Sequence, residues 1–158
     1  MLTDIKKREI KAEIEENHDR RSACVNILKM MQQHHRYVSD QMLHELALLL
    51  EMTADELEGV ATFYNLIFRH PVGEYVLKVC DSVVCWSLDG QSLMEYVEQR
   101  LGIKAGETTQ DGRFTLLPCC CLGDCDHAPV MMVNDELIRH VTPQLINEII
   151  NCQKGVQE

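Results

Sequence analysis

The chain has 158 residues, 46% of them apolar and 25% charged, which suits one ordinary soluble domain or a compact domain with a helical extension and excludes wholesale disorder. Its formal net charge of −10 and its 5% aromatic content exclude a nucleic-acid binder, which needs Lys and Arg to displace counterions and rings on which bases stack. The charge is uneven: residues 1–70 carry 9 basic and 12 acidic side chains (net −3), residues 71–158 carry 6 and 13 (net −7).

In chain order, the stretch from Thr3 to Arg21 is dominated by charge, which leaves no apolar core for a signal peptide. Thr3 is placed to cap a first helix carrying Ile5, Ile10 and Ile14, expected to lie on the surface. Ser22 is placed to cap a second, whose Val25, Ile27, Leu28, Met30 and Met31 form a broad apolar face. Ser39-Asp40 opens a third with Met42, Leu43, Leu46, Ala47, Leu49 and Leu50 at helical spacing. Thr53-Ala54-Asp55-Glu56 has the form of a capping box and starts a fourth. These stripes read as bundle core, and His34, His35 and His44, without paired spacing, read as surface or partly packed residues. Phe63, Tyr64, Leu66 and Phe68 read as exposed apolar residues suited to docking.

Around His70-Pro71-Val72-Gly73 the pattern changes, which divides the chain into a helical bundle, 1–70, and a second domain, 71–158. Tyr75, Leu77 and Val79 alternate in a strand that runs into Cys80, and residues 91–101 follow as a helix ended by Gly102. Asp111-Gly112 turns into a strand from Phe114 to Leu117, and Val130–Val133 forms another. Asn134-Asp135 then turns it into Leu137-Ile138 as a hairpin. Thr142-Pro143 caps a last helix that buries Leu145, Ile146, Ile149 and Ile150. The fold class expected is α+β: an N-terminal helical bundle, then a small thioredoxin-like α/β sheet domain. The longest apolar run, Leu46 to Leu50, is too short to cross a bilayer. The expectation is a cytoplasmic protein with no direct membrane insertion. Thiols stay reduced there, so eight cysteines point to metal or redox chemistry rather than to disulfides.

Cys80 and Cys85 form C-x4-C, Cys121 and Cys125 form C-x3-C, and 35 residues separate the pairs. Each pair follows a predicted strand end, where a sheet holds ligands at fixed separation. No two cysteines have the C-x-x-C spacing of a thioredoxin redox motif, and no C-x2-C-x2-C run of a [4Fe-4S] ferredoxin occurs. A binuclear iron–sulfur cluster on two loops fits best, and a structural zinc site is the alternative. Spacing alone does not choose among Cys119, Cys120 and Cys121 as the third ligand. Leu122-Gly123-Asp124 favours Cys121, because glycine lets the backbone and its N–H groups approach sulfur. Cys119 and Cys120 then read as small packed thiols, with a thiol sensor on Cys119-Cys120-Cys121 as a weaker reading, and Cys24 and Cys152 read as core. Asp81, Asp89, Asp124 and Asp126 are close by, with no Lys or Arg between Lys78 and Arg100 or between Arg113 and Arg139, so the ligand loops read as acid-only.

These two motifs, with Glu58-Gly59-Val60-Ala61-Thr62-Phe63-Tyr64, Asp111-Gly112-Arg113-Phe114 and Ala128-Pro129-Val130-Met131, resemble the 24 kDa (E) family of subunits of respiratory complex I, NADH:quinone oxidoreductase, from about residue 20 to 150. The resemblance implies one [2Fe-2S] cluster on Cys80, Cys85, Cys121 and Cys125, exchanging single electrons with the FMN of an NADH-oxidising partner. FMN and NADH are expected on that flavin subunit, since this chain has no glycine-rich nucleotide fingerprint. Other peripheral-arm subunits are further expected partners, at the cytoplasmic side of the inner membrane. Relatives serving as diaphorase subunits of NAD-linked hydrogenases and formate dehydrogenases make that role the alternative. Two positions depart from the family: Trp86, where a more polar residue such as histidine is expected, and the extra thiol Cys119.

Overall fold

The computed structural model describes residues 4–17, 19–88 and 90–154. Thr3, Asp89 and the side chain of Ile5 lie outside that description. The chain divides into two compact units, Met1–Pro71 and Val72–Glu158.

The first unit contains α1 (Asp4–Glu16), α2 (Cys24–His35), α3 (Asp40–Leu50) and α4 (Ala54–Phe63). Its core joins Ile10 of α1 to Cys24, Ile27, Leu28 and Met31 of α2, to Leu43, Leu46 and Leu50 of α3, and to Leu57 and Ala61 of α4. Most side chains of α1 are exposed, in keeping with the expected surface position, and Ile10, with Ile14 partly buried beside it, anchors the helix to the core. Ser39 accepts from the Met42 N–H, and Thr53 and Glu56 form the reciprocal capping box, worth about 1 kcal/mol. Ser22 does not cap α2. Its N–H and hydroxyl turn back to Asp19, and the helix starts after Ala23 with no side-chain cap. The segment after α4 is held by two side chains. Gln32 donates to the Leu66 carbonyl and accepts from the Phe68 N–H, while Arg69 bonds Glu58, Asp40 and the Val38 carbonyl. Phe63 and Tyr64 are exposed, but Leu66 and Phe68 are half-buried by this anchoring, which narrows the expected apolar surface.

The second unit is built on β1 (Tyr75–Cys80), β2 (Phe114–Cys119), β3 (Met131–Val133) and β4 (Glu136–Ile138). Their order is β2-β1-β3-β4, with β1 parallel to β2 and antiparallel to β3, and β3 antiparallel to β4. Between β1 and β2 run a short helix α5 (Val83–Ser87), which periodicity does not reveal, and α6 (Gly90–Leu101). After β4 comes α7 (Pro143–Lys154), with Thr142 accepting from the Leu145 N–H. Leu77, Val79, Phe114, Leu116, Met131 and Val133 pack on Leu93, Val97, Ile146 and Ile150, so one sheet face carries both long helices. On a strand successive residues alternate faces, so Cys80 and Cys119, paired in register at the ends of β1 and β2, lie on the other face. There they form a small second core with Cys85 and Val130, against Leu122, Ala128 and Leu137. The parallel pair matters most for function. It brings the C-terminal ends of β1 and β2, each running into a cysteine loop, to the same edge of the sheet.

Candidate metal centre

Cys80 is the last residue of β1, with its N–H on the Val130 carbonyl, and the Asp81 N–H continues the ladder to the Cys119 carbonyl. The chain then turns into α5, whose third residue is Cys85, buried like Cys80. Close packing of Gly90 on this turn is compulsory: a Cβ there would lie 2.6 Å from the Cys85 carbonyl oxygen. The second loop leaves β2 at Cys119 and passes Cys121 and Gly123, whose φ of 83° is one glycine tolerates. It closes in a 3-10 turn, Cys125–His127.

Within the second loop the two sulfurs meet. Cys121 and Cys125 Sγ lie 3.3 Å apart, and the Gly123 N–H donates to Cys121 Sγ at 3.4 Å. That N–H, then Cys125, then Ser82 from the opposite loop push the Cys121 thiol below its usual range. Cys125 is pushed up, first by its bond to Cys121, then by burial and by the charges of Cys85 and Cys80. Burial raises Cys85, with Cys80 and Cys121 adding to the rise and a hydrogen bond from the Val130 backbone opposing it. Each of the two motifs therefore lies within electrostatic reach of the other. All eight cysteines are free thiols. Four thiols on two loops at one sheet edge, with Cys80 and Cys85 packed beside Leu122, Ala128, Val130 and Leu137, have the donor chemistry of a thiolate-bound metal centre and fit an iron–sulfur cluster.

The neighbouring thiols divide. Cys119 is buried and pushed up to about 12, by burial first and then by Cys80, Cys120 and Asp81. Cys120 is exposed, as is Cys152, which corrects the expectation that both are packed: Cys120 follows the last residue of β2, and Cys152 faces solvent on α7. Cys24 is in the first unit's core as expected.

The acid-only reading of the ligand loops is also corrected. Arg139, after β4, donates from Nε to Asp124 Oδ2, while His127 Nδ1 meets Asp124 Oδ1 at 2.7 Å. Arg139 first, and His127 second, hold the Asp124 carboxyl below its ordinary range. Asp124, Asp126 and His127 come close enough to suggest a cation site, but both Asp124 oxygens already have partners, so the group is an ion-pair network. Arg139 lies 14 residues beyond Cys125 in sequence, and only the β3–β4 hairpin returns it to the loop. Ser82 is the N-cap residue of α5, a helix too short for sequence periodicity to mark. Exposed Trp86 bonds Gln91 through Nε1.

The family described as thioredoxin-like [2Fe-2S] ferredoxin matches residues 10–154. The E subunit of the NADH-quinone oxidoreductase of Escherichia coli (strain K12) is 43% identical over 153 residues, 97% of this chain and 92% of that protein. The subunit of the same name in Pseudomonas aeruginosa is 39% identical over 152 residues, covering 96% of this chain and 92% of that protein. Among solved structures, an NAD+-reducing [NiFe]-hydrogenase in the air-oxidised state superposes with a TM-score of 0.70 over 83% of this chain, at 23% identity. The chain spans 23% of that hydrogenase chain's length, and the likeness shows the shared fold.

Proposed function

The chain belongs to the thioredoxin-like [2Fe-2S] ferredoxin family, and from that premise we propose that it is the electron-transfer subunit of an NADH–quinone oxidoreductase, holding one [2Fe-2S] cluster on Cys80, Cys85, Cys121 and Cys125. The observation that supports the ligand assignment is the parallel pairing of β1 and β2, which delivers the loops carrying these four cysteines to one edge of the sheet, with Cys121 and Cys125 Sγ 3.3 Å apart. Relatives at 39–43% identity over nearly their full length are E subunits of that complex, which supports it as the host. The hydrogenase likeness, at 23% identity, adds nothing for a diaphorase role.

Bound in this cage, the cluster supplies a one-electron couple. The chain's own residues set its surroundings. Buried Cys80 and Cys85 exclude water from one side, and the Gly123 and Val130 backbones reach sulfurs, which stabilises thiolate charge. The partner we infer is a flavin subunit bearing FMN and the NADH site, because the sequence offers no phosphate-cradling glycine loop of its own. Among the described residues no helix is long and apolar enough to cross a membrane. The station we assign follows from the proposed complex: peripheral, on the cytoplasmic side of the inner membrane.

Anaerobic purification tests this directly. A red-brown protein with about two irons and two sulfides per chain, bleached by dithionite, is the expected result. A colourless protein containing zinc would overturn it. Co-purification of a flavin-containing, NADH-oxidising chain is the expected result for the partner.

A further inference from the structure

Asp124, between Cys121 and Cys125, is a charge next to a proposed ligand with an arginine as its countercharge. Its side chain is 14% exposed, and its two oxygens are divided between Arg139 Nε and His127 Nδ1. The arrangement is anchored on both sides. The His140 N–H donates to the His127 carbonyl at 3.0 Å, and the two imidazoles meet edge to face at 5.4 Å between centroids. The next residue, Val141, is buried and donates to the Pro129 carbonyl at 2.9 Å. Arg139 is thus held by the backbone on the side of the Cys121–Cys125 loop, rather than reaching it as a freely swinging surface side chain. A charge pair so placed has two consequences. It ties the 139–141 segment to the 3-10 turn carrying Cys125, and it offsets a carboxylate beside a centre whose reduction adds negative charge.

We propose that Arg139 is a positioning and charge-compensating residue for the metal centre, acting through Asp124, so that the Arg139–Asp124 pair sets the reduction potential of the cluster held by Cys121 and Cys125. The proposal rests on the ligand assignment made under the proposed function. Each variant has an expected sign. With Arg139→Gln the Asp124 carboxylate is left partly uncompensated, negative charge near the centre rises, and the midpoint potential falls. With Asp124→Asn the guanidinium charge is left over, and the potential rises. In the double variant both charges are gone, and the potential returns toward that of the unchanged protein. Arg139→Lys keeps the charge and shifts it least. A pair that only braced the loop would move all the variants in one direction, because loosening the loop is common to them.

The experiment is an EPR-monitored redox titration of the full chain and these four variants, loaded anaerobically, at low and high salt. Iron and sulfide content is measured first, which tests the ligand assignment separately from the potentials. Opposite shifts in the two single variants, cancelled in the double and reduced by salt, are the expected result. Shifts of one sign, shifts that add in the double, or no shift would overturn the proposal. So would failure of the double variant to hold the cluster, since it removes both charges together. Failure of either single variant to bind iron while the unchanged protein binds it would likewise count against a role in tuning.

Discussion

Among the proposed ligands, the Cys121 thiol is held below its usual range, first by the Gly123 N–H, while burial raises Cys85. Thiolate is the form that binds metal, so this N–H favours the ligating form of Cys121. Cys121→Ser is expected to abolish iron binding and visible absorbance. Cys120→Ser, at an exposed neighbour, should leave both unchanged; equal loss in the two would move the ligand assignment. Cys119 makes a different prediction, for the apo-protein. Its pKa is raised in the fold from 9.0 to about 12, so the folded state keeps its proton where the unfolded state loses it. The stabilisation is therefore complete below about pH 9 and is lost as the pH climbs toward 12. Urea midpoints of the apo-protein and Cys119→Ala should differ most at about pH 8 and converge at about pH 11.

At the scale of elements, α5 and α6 meet at Gly90, and the fit is so tight that no side chain is accommodated. Gly90→Ala must push the Cys85 carbonyl, and with it a proposed ligand, away from the other three. We expect reduced iron occupancy with the far-ultraviolet spectrum little changed. Gly59 offers the contrast. It lies exposed in α4, and a Cβ placed there would meet nothing within 4 Å. Gly59→Ala should therefore stabilise the protein by about 0.4–1 kcal/mol and leave iron content unaltered. Thermal denaturation together with iron analysis checks both. A Gly90→Ala protein with full occupancy would show that the loop yields without moving its sulfur.

At the scale of the whole molecule, the two units have separate cores, and all four proposed ligands belong to the second. A fragment of residues 72–158 is expected to take up iron to the same level per chain as the full protein. The first unit, with exposed Phe63 and Tyr64 at the end of α4, is expected to serve partner binding instead, so removing residues 1–70 should abolish co-purification of the flavin subunit. If the fragment binds no iron, the metal centre depends on the bundle in a way the separate cores do not suggest.

Much of this was legible because it is local. The helix caps at Ser39 and Thr53, the short apolar run of β1, the turn at Asp111-Gly112 and the spacing of the cysteine pairs each depend on residues a few positions apart. The family, too, follows from motifs contiguous in the chain. Local signals failed where the cause was distant or small: Ser22 turned back to Asp19, and the five residues of α5 were too few to show a period. Residue order alone settles which thiols exist and that two strand-end loops carry them. It took the folded chain to establish that β1 and β2 run parallel and deliver both loops to one edge, that Cys119 is sealed while Cys120 is open, and that Arg139 answers Asp124. Pairing, burial and charge compensation act through space, and the chain brings residues 80, 121 and 139 together only once the sheet has formed.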